Sequence, residues 1–490
     1  MAEPNQPAAS FLGKFTVLFG AARELWFTFA LKLLNYAAYS VTNYTLCLWL
    51  SSELHFSDQE AAHMVLYWGV TMTIVTLLVG ALTDAIGLRR AFFLGIWVCL
   101  FARAMMVFAP VPWLALALGL FPLAVGEALG TPVLVAAVRK YSTTRQRSMS
   151  FSVAYMTMNI GSFAATFIFD WVRRTLGEHG YLAHSWLGDN ISTYRTLFLI
   201  SFAIDLLMIP LVWFMRPDVE VTDEGVRIIP PAAKTAAANL WSAAWRTVHD
   251  GGRDAFRLFA GLFQQRGFYR LLAFLLLIAF LKLIFMQMYY VYPKFGIREL
   301  GEGAPVGRLW GINALLVVFL VPVIGALTQR FRAYGMVTLG GVLSAASVFI
   351  MTLPPAWFQG LADGPFGNWL GHYYLGLTGP VHPYYVMIAI YVIILSFGEA
   401  FYSPRVYEYA ASIAPKGQEA SYGALSYIPF LVAKLLIVFS GTLLARYCPE
   451  HGERHSETLW LFVALAATIA PVGLITLRGL IRVREAGRPD

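Results

Sequence analysis

The sequence has few of the residues that keep a soluble protein in water. Of its 490 residues only 13% are charged, whereas 58% are hydrophobic. There are three cysteines, at Cys47, Cys99 and Cys448, and their spacing fits neither a disulfide framework nor a metal site. The sequence also has no nucleotide-binding loop and no nucleophile–base set. This composition excludes an ordinary soluble globule and predicts a protein that is not an enzyme, with no cofactor and no bound metal.

Long apolar runs account for most of the chain. A helix needs about 20 apolar residues to cross a bilayer. Twelve such runs are present, at 25–50, 62–83, 91–109, 113–138, 149–172, 193–215, 269–293, 306–329, 335–353, 383–412, 420–446 and 457–479. The sequence therefore predicts an all-α membrane protein with twelve transmembrane helices.

The net charge of +8 is distributed unevenly. Basic residues gather in alternate loops, at Arg89 and Arg90, at 139–147, at Arg330 and Arg332, and at 478–484. Positive loops stay in the cytoplasm, so both termini are expected there and the protein is expected in the cell membrane. The basic charge is explained by topology, and no nucleic-acid partner is predicted.

Several sequence features occur twice at matching places. Gly126-Glu127 in span four is followed by Pro132, and Gly398-Glu399 in span ten is followed by Pro404. Spans one and seven each hold a lysine, and Gly-Ala-Leu-Thr follows both span two and span eight. Such repeats predict two pseudo-symmetric six-helix bundles with a site between them.

The predicted domain limits follow from these spans. We expect an interfacial segment at 1–24, an N-terminal bundle at 25–215, a cytoplasmic linker at 216–268, a C-terminal bundle at 269–480 and a cytoplasmic tail at 481–490. The linker carries Trp and Phe on one side and Arg among the rest, which is typical of an amphipathic helix lying on a membrane surface.

Polar residues inside the spans are the candidate binding residues. Lys32, Asn35, Tyr36 and Tyr39 form one stripe at helical spacing in span one, and Lys282 and Gln287 lie in span seven. Charged groups in a bilayer usually face a wet cavity or a partner. The alternative interpretation of Lys32 is that its ammonium extends to the headgroups.

Carboxylates and further charges complete the candidate set. Glu127, Glu399 and Glu408 are candidates for proton coupling. Candidate gating residues are Asp84, Arg89 and Arg90, which can pair across a tight turn, together with Arg405 and Lys434. The open alternative is that Lys434 neutralises Glu408 in a purely structural pair. Arg103 and Asp205 are also intramembrane, and the sequence assigns them no partners.

Motifs in the sequence resemble those of a transporter superfamily and of one family within it. Gly80-x-x-x-Asp84-x-x-Gly87-x-Arg89-Arg90 resembles the major facilitator superfamily, although Ala85 and Leu88 stand where basic residues are usual. Within it, two motifs look like those of the proton-dependent oligopeptide transporters, namely 151–162 (Phe-Ser-x-x-Tyr-x-x-x-Asn-x-Gly-Ser) and 398–404 (Gly-Glu-x-x-x-Ser-Pro), the latter followed by Ala414-Pro415.

The resemblance carries expectations and departures. It implies that Glu399 holds the amino group of a substrate and that Tyr155 and Asn159 line the same cavity. The Glu-x-x-Glu-Arg element of that family should fall near Asn35 and Tyr36 and is missing. The span-four lysine is Thr131 here. A standard peptide symporter is therefore not predicted, and Lys32 and Lys282 are expected to supply the lost positive charge.

The predicted function is secondary active transport of a small polar, amino-acid- or peptide-like solute by alternating access, coupled to protons. Tyr402 and other aromatic residues are expected to shape the cavity. The predicted partners are this solute, protons and the lipid bilayer, and the chain is expected to act as a monomer. The alternatives are an exporter of amphiphilic or siderophore-like compounds, a proton-independent facilitator, and a non-transporting sensor.

Overall fold

A computed structural model describes residues 17–182, 191–217, 219–228, 266–328, 331–413 and 428–482, together with His249, Arg253 and Leu425. Among these residues, twelve helices have at least 17 residues. They are α1 Arg23–Ser52, α2 Asp58–Ile86, α3 Leu88–Phe108, α4 Phe121–Lys140, α5 Thr144–Leu176, α6 Thr193–Phe214, α7 Arg266–Tyr290, α8 Val306–Leu327, α9 Ala333–Phe349, α10 Pro383–Ile413, α11 Ile428–Tyr447 and α12 Ser456–Thr476.

Each predicted apolar run overlaps one of these helices, and residues 420–427 of the run 420–446 lie outside the described part of the chain except for Leu425. Ten of the helices, α3 to α12, are long and apolar enough to cross a membrane, while α1 and α2 lie outside that set. Lipid offers no hydrogen bonds to the backbone, so a chain that crosses it must satisfy its own N–H and C=O groups. Helices do so locally, which explains why the apolar runs fold as helices. The protein is therefore an all-helical, multi-pass membrane protein.

Local signals set several helix ends. Ser57 and Glu60 form a capping box at the start of α2, and Thr143 and Gln146 form one at the start of α5. Gly177 ends α5 with a φ of 79°, a conformation that side chains rarely adopt. Prolines lie inside α4, α6, α8, α10 and α12 without ending them, as is common in membrane helices, where neighbouring groups satisfy the freed carbonyls.

The helices pack in two groups with matching neighbours. In the first group, which we call the N half (α1–α6), α1 packs on α5 and α6, α4 on α2 and α3, and α3 on α6. In the second group, the C half (α7–α12), α7 packs on α11 and α12, α10 on α8 and α9, and α9 on α12. The two halves meet where α5 contacts α8 and where α2 contacts α11. These equivalent contacts are the structural counterpart of the repeated sequence features.

Outside the long helices the described chain contains smaller elements. Two short antiparallel pairs of strands join Tyr181–Leu182 to Ile191–Ser192, and Val219–Thr222 to Gly225–Ile228. The second pair is a hairpin within the predicted linker and was not expected from its sequence. Most of the predicted interfacial helix lies outside the described residues. Segment 354–382 folds into short helical turns that cover the ends of α9 and α10.

The outer surface of the helices is apolar. Large side chains such as Trp97, Trp171, Trp213, Phe319 and Ile475 are more than half exposed on it. A soluble protein rarely exposes so many large apolar groups together, and lipid tails are the medium that suits them.

Candidate substrate pathway between the two halves

An ionic cluster joins the halves on one face of the bundle. We call this the distal face, because it lies at the ends of the helices away from the chain termini. The Asp58 carboxylate, at the start of α2, accepts hydrogen bonds from Lys294 Nζ at 2.7 Å and from both Nη groups of Arg298 at 2.9 and 3.0 Å. Lys294 Nζ also donates to Ser51 Oγ. Both cations lie on the short helix Tyr292–Leu300, which follows α7.

A second cluster seals the distal face between α5 and α8. Asp170 Oδ1 and Oδ2 accept hydrogen bonds from the backbone N–H groups of Gly307 at 3.0 Å and Arg308 at 2.7 Å. These N–H groups belong to the first turn of α8, where unpaired donors and the helix dipole favour an anion. Asp170 therefore caps a helix of the other half.

Arg173 and Glu178 extend this seal. Arg173 binds Asp170 and Glu178 in its own half and donates to the Ala304 carbonyl of the other half at 3.2 Å. The Glu178 carboxylate accepts from Gly303 N–H at 3.2 Å. Burial raises the pKa of Glu178, but the adjacent Arg173 guanidinium outweighs burial and leaves that pKa below its usual value. The carboxylate is thus held ionised in the seal.

Aromatic contacts join the halves further from the distal face. Tyr44 on α1 stacks on Tyr289 of α7, with ring centroids 5.2 Å apart. Tyr290 donates a hydrogen bond of 2.5 Å to Asn43 Oδ1. Tyr289 also makes an edge contact with Trp310 of α8. These residues form an aromatic boundary between α1 of the N half and α7 and α8 of the C half.

Glu399 lies next to this aromatic boundary. Its Oε2 accepts a hydrogen bond of 3.0 Å from Asn313 Nδ2, and Asn313 Nδ2 also donates to Ser396 Oγ at 3.1 Å. Glu399 is partly exposed, and its charge interacts with Tyr289 and with Lys282. Among the described residues no cation lies within salt-bridge distance of this carboxylate. A carboxylate held only by a neutral amide can bind a cationic group or a proton.

The predicted lysines lie against aromatic rings. Lys32 Nζ is 5.2 Å from the Tyr36 ring centroid. Lys282 Nζ is 5.4, 5.2 and 5.0 Å from the ring centroids of Phe285, Tyr402 and Phe430. Both lysines are nearly buried, at 7% and 8% exposure. The headgroup interpretation of Lys32 requires an ammonium in water, which this burial does not provide.

Glu127 has a different environment from Glu399. It accepts a hydrogen bond of 2.5 Å from Arg103, which also binds Asp205. All three side chains are at most 3% exposed. Arg103 further donates to Thr42 Oγ1 at 3.4 Å. This cluster supplies the partners that sequence reasoning left unassigned, and it lies within the N half, joining α1, α3, α4 and α6.

Other predicted binding residues contact neighbouring helices of their own half. Asn35 lies against Gly130 of α4 and lines a cavity of about 20 Å³ inside the N half. Gln287 donates to Ser440 on α11. Asn159 Nδ2 donates to the Tyr155 carbonyl of its own helix at 2.9 Å. Tyr39 forms ring contacts with Tyr36 and Trp68. The structure thus brings Lys282, Tyr402 and Glu399 together, and places Asn35 and Gln287 elsewhere.

The pairing of Asp84 with the arginines across the turn after α2 stays a prediction. Arg89 donates to the carbonyls of Val212 at 3.2 Å and Trp213 at 2.7 Å, so it also holds the end of α6. Arg90 is exposed, and the side chain of Asp84 lies outside the described part of the structure. The unpaired carbonyls at the end of a helix are good acceptors for a guanidinium, which explains the choice of partner.

The expected Lys434–Glu408 pair is absent from the described residues. Arg405 binds Glu408 at 2.5 Å, and its other Nη binds the Thr328 carbonyl at 2.9 Å. Lys434 Nζ lies 5.0 Å from the Trp68 ring centroid and makes no hydrogen bond to any residue that the structure describes. Arg405 and Glu408 are three residues apart on one helix, and this spacing places their side chains next to each other.

Comparison with known proteins identifies the fold. The family profile described as Major Facilitator Superfamily matches residues 28–379, which is more than half of the chain. The chain belongs to the Major Facilitator Superfamily. It is therefore a membrane transporter and not an enzyme. A search of curated proteins finds no significant match to this member of the superfamily.

Solved structures share the fold of this superfamily member at low sequence identity. One, from a study of substrate recognition in proton-dependent oligopeptide transporters, has a TM-score of 0.67 at 16% identity, covering 94% of this chain and 98% of the other. A POT family transporter in complex with 5-aminolevulinic acid has a TM-score of 0.67 at 15% identity, covering 97% and 99%. A bacterial homologue of the human peptide transporters PepT1 and PepT2 has a TM-score of 0.64 at 17% identity, covering 94% and 98%.

Sequence reasoning missed several residues of the candidate pathway. Asn313 is an isolated amide in the middle of an apolar span, and this is a signal that the sequence does offer. Trp68, Tyr44 and Trp310 are hidden among the many aromatic residues of the chain. The charged residues of the distal face lie at helix ends, where charges are common and give little indication of a gate.

Proposed function

We propose that the protein is a secondary transporter that moves a small zwitterionic, amino-acid- or peptide-like solute through the junction of its two halves, driven by protons. The observation that carries the proposal is Glu399. It is a carboxylate deep in an apolar helix, near Lys282, and no cation lies within salt-bridge distance among the described residues.

The chemistry of this position suits a solute with an amine and a carboxylate. The amine would replace the Asn313 amide or bind beside it on Glu399. The Lys282 ammonium, which makes no hydrogen bond within the described residues, would bind the carboxylate. Lys282 is surrounded by rings, and a low-dielectric site strengthens such charge pairs. The shared fold of the oligopeptide transporters supports a peptide-like solute.

Alternating access follows from the arrangement of the seal. The distal face is closed by Asp58, Asp170 and Glu178, each of which bonds to the other half. We propose that these bonds break when the halves rock and open the pathway on this side. Prolines and glycines on α4 and α10 would allow the helices that carry Glu127 and Glu399 to bend.

The proton would be carried by Glu399. Of the three carboxylates predicted to couple protons, Glu127 and Glu408 each have an arginine within 2.5 Å, whereas Glu399 is hydrogen-bonded only to an amide. A carboxylate without a fixed cation is the one whose charge can be neutralised by a solute amine or a proton in turn. The coupling role of Glu127 stays a prediction and is tested separately below.

We further propose that all twelve long helices cross the cell membrane, with both termini in the cytoplasm and with a monomer as the working unit. The N-terminal segment 1–24, the linker 216–268 and the tail 481–490 would then lie at the cytoplasmic surface, outside the two bundles 25–215 and 269–480. The apolar exterior of the helices and the basic loops support this orientation.

The experiment uses purified full-length protein in liposomes that contain a pH-sensitive dye. Pools of peptides, amino acids and organic anions are added under an imposed pH gradient. We expect proton entry that depends on the peptide or amino-acid pool. Glu399→Gln should abolish this entry, while Glu224→Gln, an exposed carboxylate in the 219–228 hairpin, should not change it.

The proposal fails if every pool leaves the proton flux unchanged while labelled solute still accumulates, since transport would then not use protons. It also fails if no pool is taken up at all, a result that would direct attention to export. Proton entry that survives in Glu399→Gln would reject the role of that residue alone.

A further inference from the structure

A line of lysines and aromatic rings crosses from one half of the protein to the other. In the N half it runs from Lys32 to Tyr36, and from there through Tyr39 to Trp68. The ring centroids of Tyr36 and Tyr39 are 6.0 Å apart, and those of Tyr39 and Trp68 are 6.5 Å apart. Trp68 belongs to α2, which contacts α11 of the C half.

Lys434 continues the line in the C half. Its Nζ lies 5.0 Å from the Trp68 ring centroid, across the α2–α11 contact. Its side chain passes directly over Gly69, where an added Cβ would come within 2.4 Å of the Lys434 Cδ. Phe430 lies one turn before Lys434 on α11, and its ring centroid is 5.0 Å from Lys282 Nζ. We call the residues from Lys32 through Trp68 and Lys434 to Lys282 the lysine arc.

Within the described residues, the positive charges of the lysine arc exceed the negative charge close to them. Lys32, Lys282 and Lys434 are at most 8% exposed, and none has a hydrogen bond or salt bridge within the described residues. Glu399 is near Lys282 and offsets one of them. Ring faces attract cations, but a cation–π contact contributes less than an ion pair to a desolvated charge. Buried charges are normally paired.

We infer that the lysine arc is an anion-binding surface and that the preferred solute carries a net negative charge, with an acidic group that binds Lys434 in addition to the carboxylate that binds Lys282. Such a solute would be an acidic peptide or a related dicarboxylate. This inference rests on the proposed function, because it assigns the charge of the solute that moves through the same junction.

The position of Lys434 suits this role. It lies in the contact between the halves, so an anion bound there would meet both α2 and α11. The absence of a side chain at Gly69 provides the room that the Lys434 stem occupies. Trp68 contributes a flat apolar wall with the ammonium against its face. A carboxylate approaching this ammonium would supply the hydrogen-bond acceptor that Lys434 lacks among the described residues.

The test compares three dipeptides that differ in one side chain, Ala-Gln, Ala-Glu and Ala-Lys, in liposomes containing the full-length protein. Ala-Glu should half-saturate uptake at a concentration about tenfold lower than Ala-Gln, because one hydrogen bond between charged groups is worth about a factor of ten or more. Ala-Lys should be the weakest of the three. Gln and Glu have the same shape, so this comparison isolates charge.

Variants of Lys434 test whether the lysine arc causes the preference for Ala-Glu. Lys434→Met should remove the preference for Ala-Glu over Ala-Gln, whereas Lys434→Arg should retain the preference. Lys140→Met, at the end of α4 and outside the arc, is the matched control. Equal half-saturation by Ala-Gln and Ala-Glu in the wild type would overturn the inference while leaving peptide transport standing. A preference that persists in Lys434→Met would also overturn it.

A binding measurement covers the case in which no dipeptide is transported, which would refute the proposed function. Glutarate is added to the detergent-purified protein, with its monoamide as control, and thermal unfolding is recorded. A rise in Tm with glutarate that exceeds the rise with the monoamide, and that is lost in Lys434→Met, would support the anion site. Equal effects of the two compounds would reject it.

Discussion

Glu127 and Glu399 occupy equivalent positions in the two halves, and their surroundings differ in one respect. Each follows a glycine, and each precedes a proline by five residues, at Pro132 and Pro404. Glu127 has an arginine at 2.5 Å, whereas Glu399 has an amide at 3.0 Å. The same local sequence therefore places one carboxylate in a buried ion cluster and leaves the other available at the junction.

The difference arises from residues far away in the sequence. Arg103 and Asp205, on α3 and α6, complete the cluster around Glu127. The residues that surround Glu399 are Asn313, Ser396 and Lys282. The two repeats thus keep the same backbone and the same carboxylate, and the different partner residues give the two carboxylates different roles. We infer that the buried charges of the N half stabilise the packing of its helices, whereas the Glu399 carboxylate of the C half takes part in transport.

The largest expected effect is on stability. Arg103→Leu leaves two buried carboxylates without their cation, and breaking a buried pair in this way costs about 3–5 kcal/mol. We expect a large fall in the free energy of unfolding of the detergent-purified protein, or a failure to purify it folded. The triple replacement Arg103→Leu, Glu127→Gln and Asp205→Asn should recover most of the loss. Unchanged unfolding in the single variant would contradict the structural role of the cluster.

The next effect is on transport without loss of stability. Glu399→Gln should abolish proton-driven uptake, because an amide at this position cannot take up and release the proton. Its Tm should stay near that of the wild type, because Asn313 can hydrogen-bond to an amide as well as to a carboxylate. Glu224→Gln is the control. Equal decreases in Tm in Glu399→Gln and in Arg103→Leu would contradict the proposed difference between the two halves.

A moderate effect is expected on the distal seal. Asp58→Asn removes the charge that holds Lys294 and Arg298, so the closed distal face should become less populated. Spin labels at the exposed positions Tyr181 and Trp357, one in each half, would report this as a shift towards longer distances. Glu60→Gln, an exposed carboxylate on the same helix, should leave the distances unchanged.

Acid should loosen the same seal. The pKa of Glu178 is lower in the folded protein than its usual value, so its stabilising effect is complete above the usual pKa and is lost as the pH falls through the lowered one. The label distances should therefore stay short at neutral pH and lengthen only in acid below that range. Glu178→Gln should reduce this pH step. A distance distribution that opens between pH 6 and 8 would require another group.

The smallest effect is expected at Glu408. Its side chain is 39% exposed and pairs with Arg405, and exposed pairs of this kind contribute at most about 1 kcal/mol. Glu408→Gln should change both Tm and proton-driven uptake only slightly. A loss of uptake as large as that of Glu399→Gln would restore Glu408 as a coupling residue.

The sequence predicted the helices well because each depends on local composition. The predicted run 193–215 became Thr193–Phe214, and 383–412 became Pro383–Ile413, since lipid forces any long apolar segment into a helix. The duplicated glutamates and lysines also indicated two halves. These are properties of single segments or of their repetition, and they need no knowledge of how helices pack.

Pairings between distant helices could not be predicted in this way. Arg103 and Asp205 are 102 residues apart, and the sequence assigned neither of them a partner. Asp170 binds the start of α8, 137 residues later, through backbone N–H groups that no sequence motif marks. Lys434 was expected beside Glu408 from depth alone, but the rotation of α11 directs it towards Trp68 instead. Depth can be estimated from sequence, whereas helix rotation depends on packing.

The most direct test of the contrast places Glu399→Gln and Glu127→Gln in the same dye-containing liposomes and records proton entry with the peptide pool, together with the Tm of each protein. We expect Glu399→Gln to keep its Tm and lose proton entry, while Glu127→Gln lowers the Tm and keeps proton entry in the molecules that remain folded. Undiminished proton entry in Glu399→Gln, with loss in folded Glu127→Gln, would contradict this expectation and move the working carboxylate to the N half.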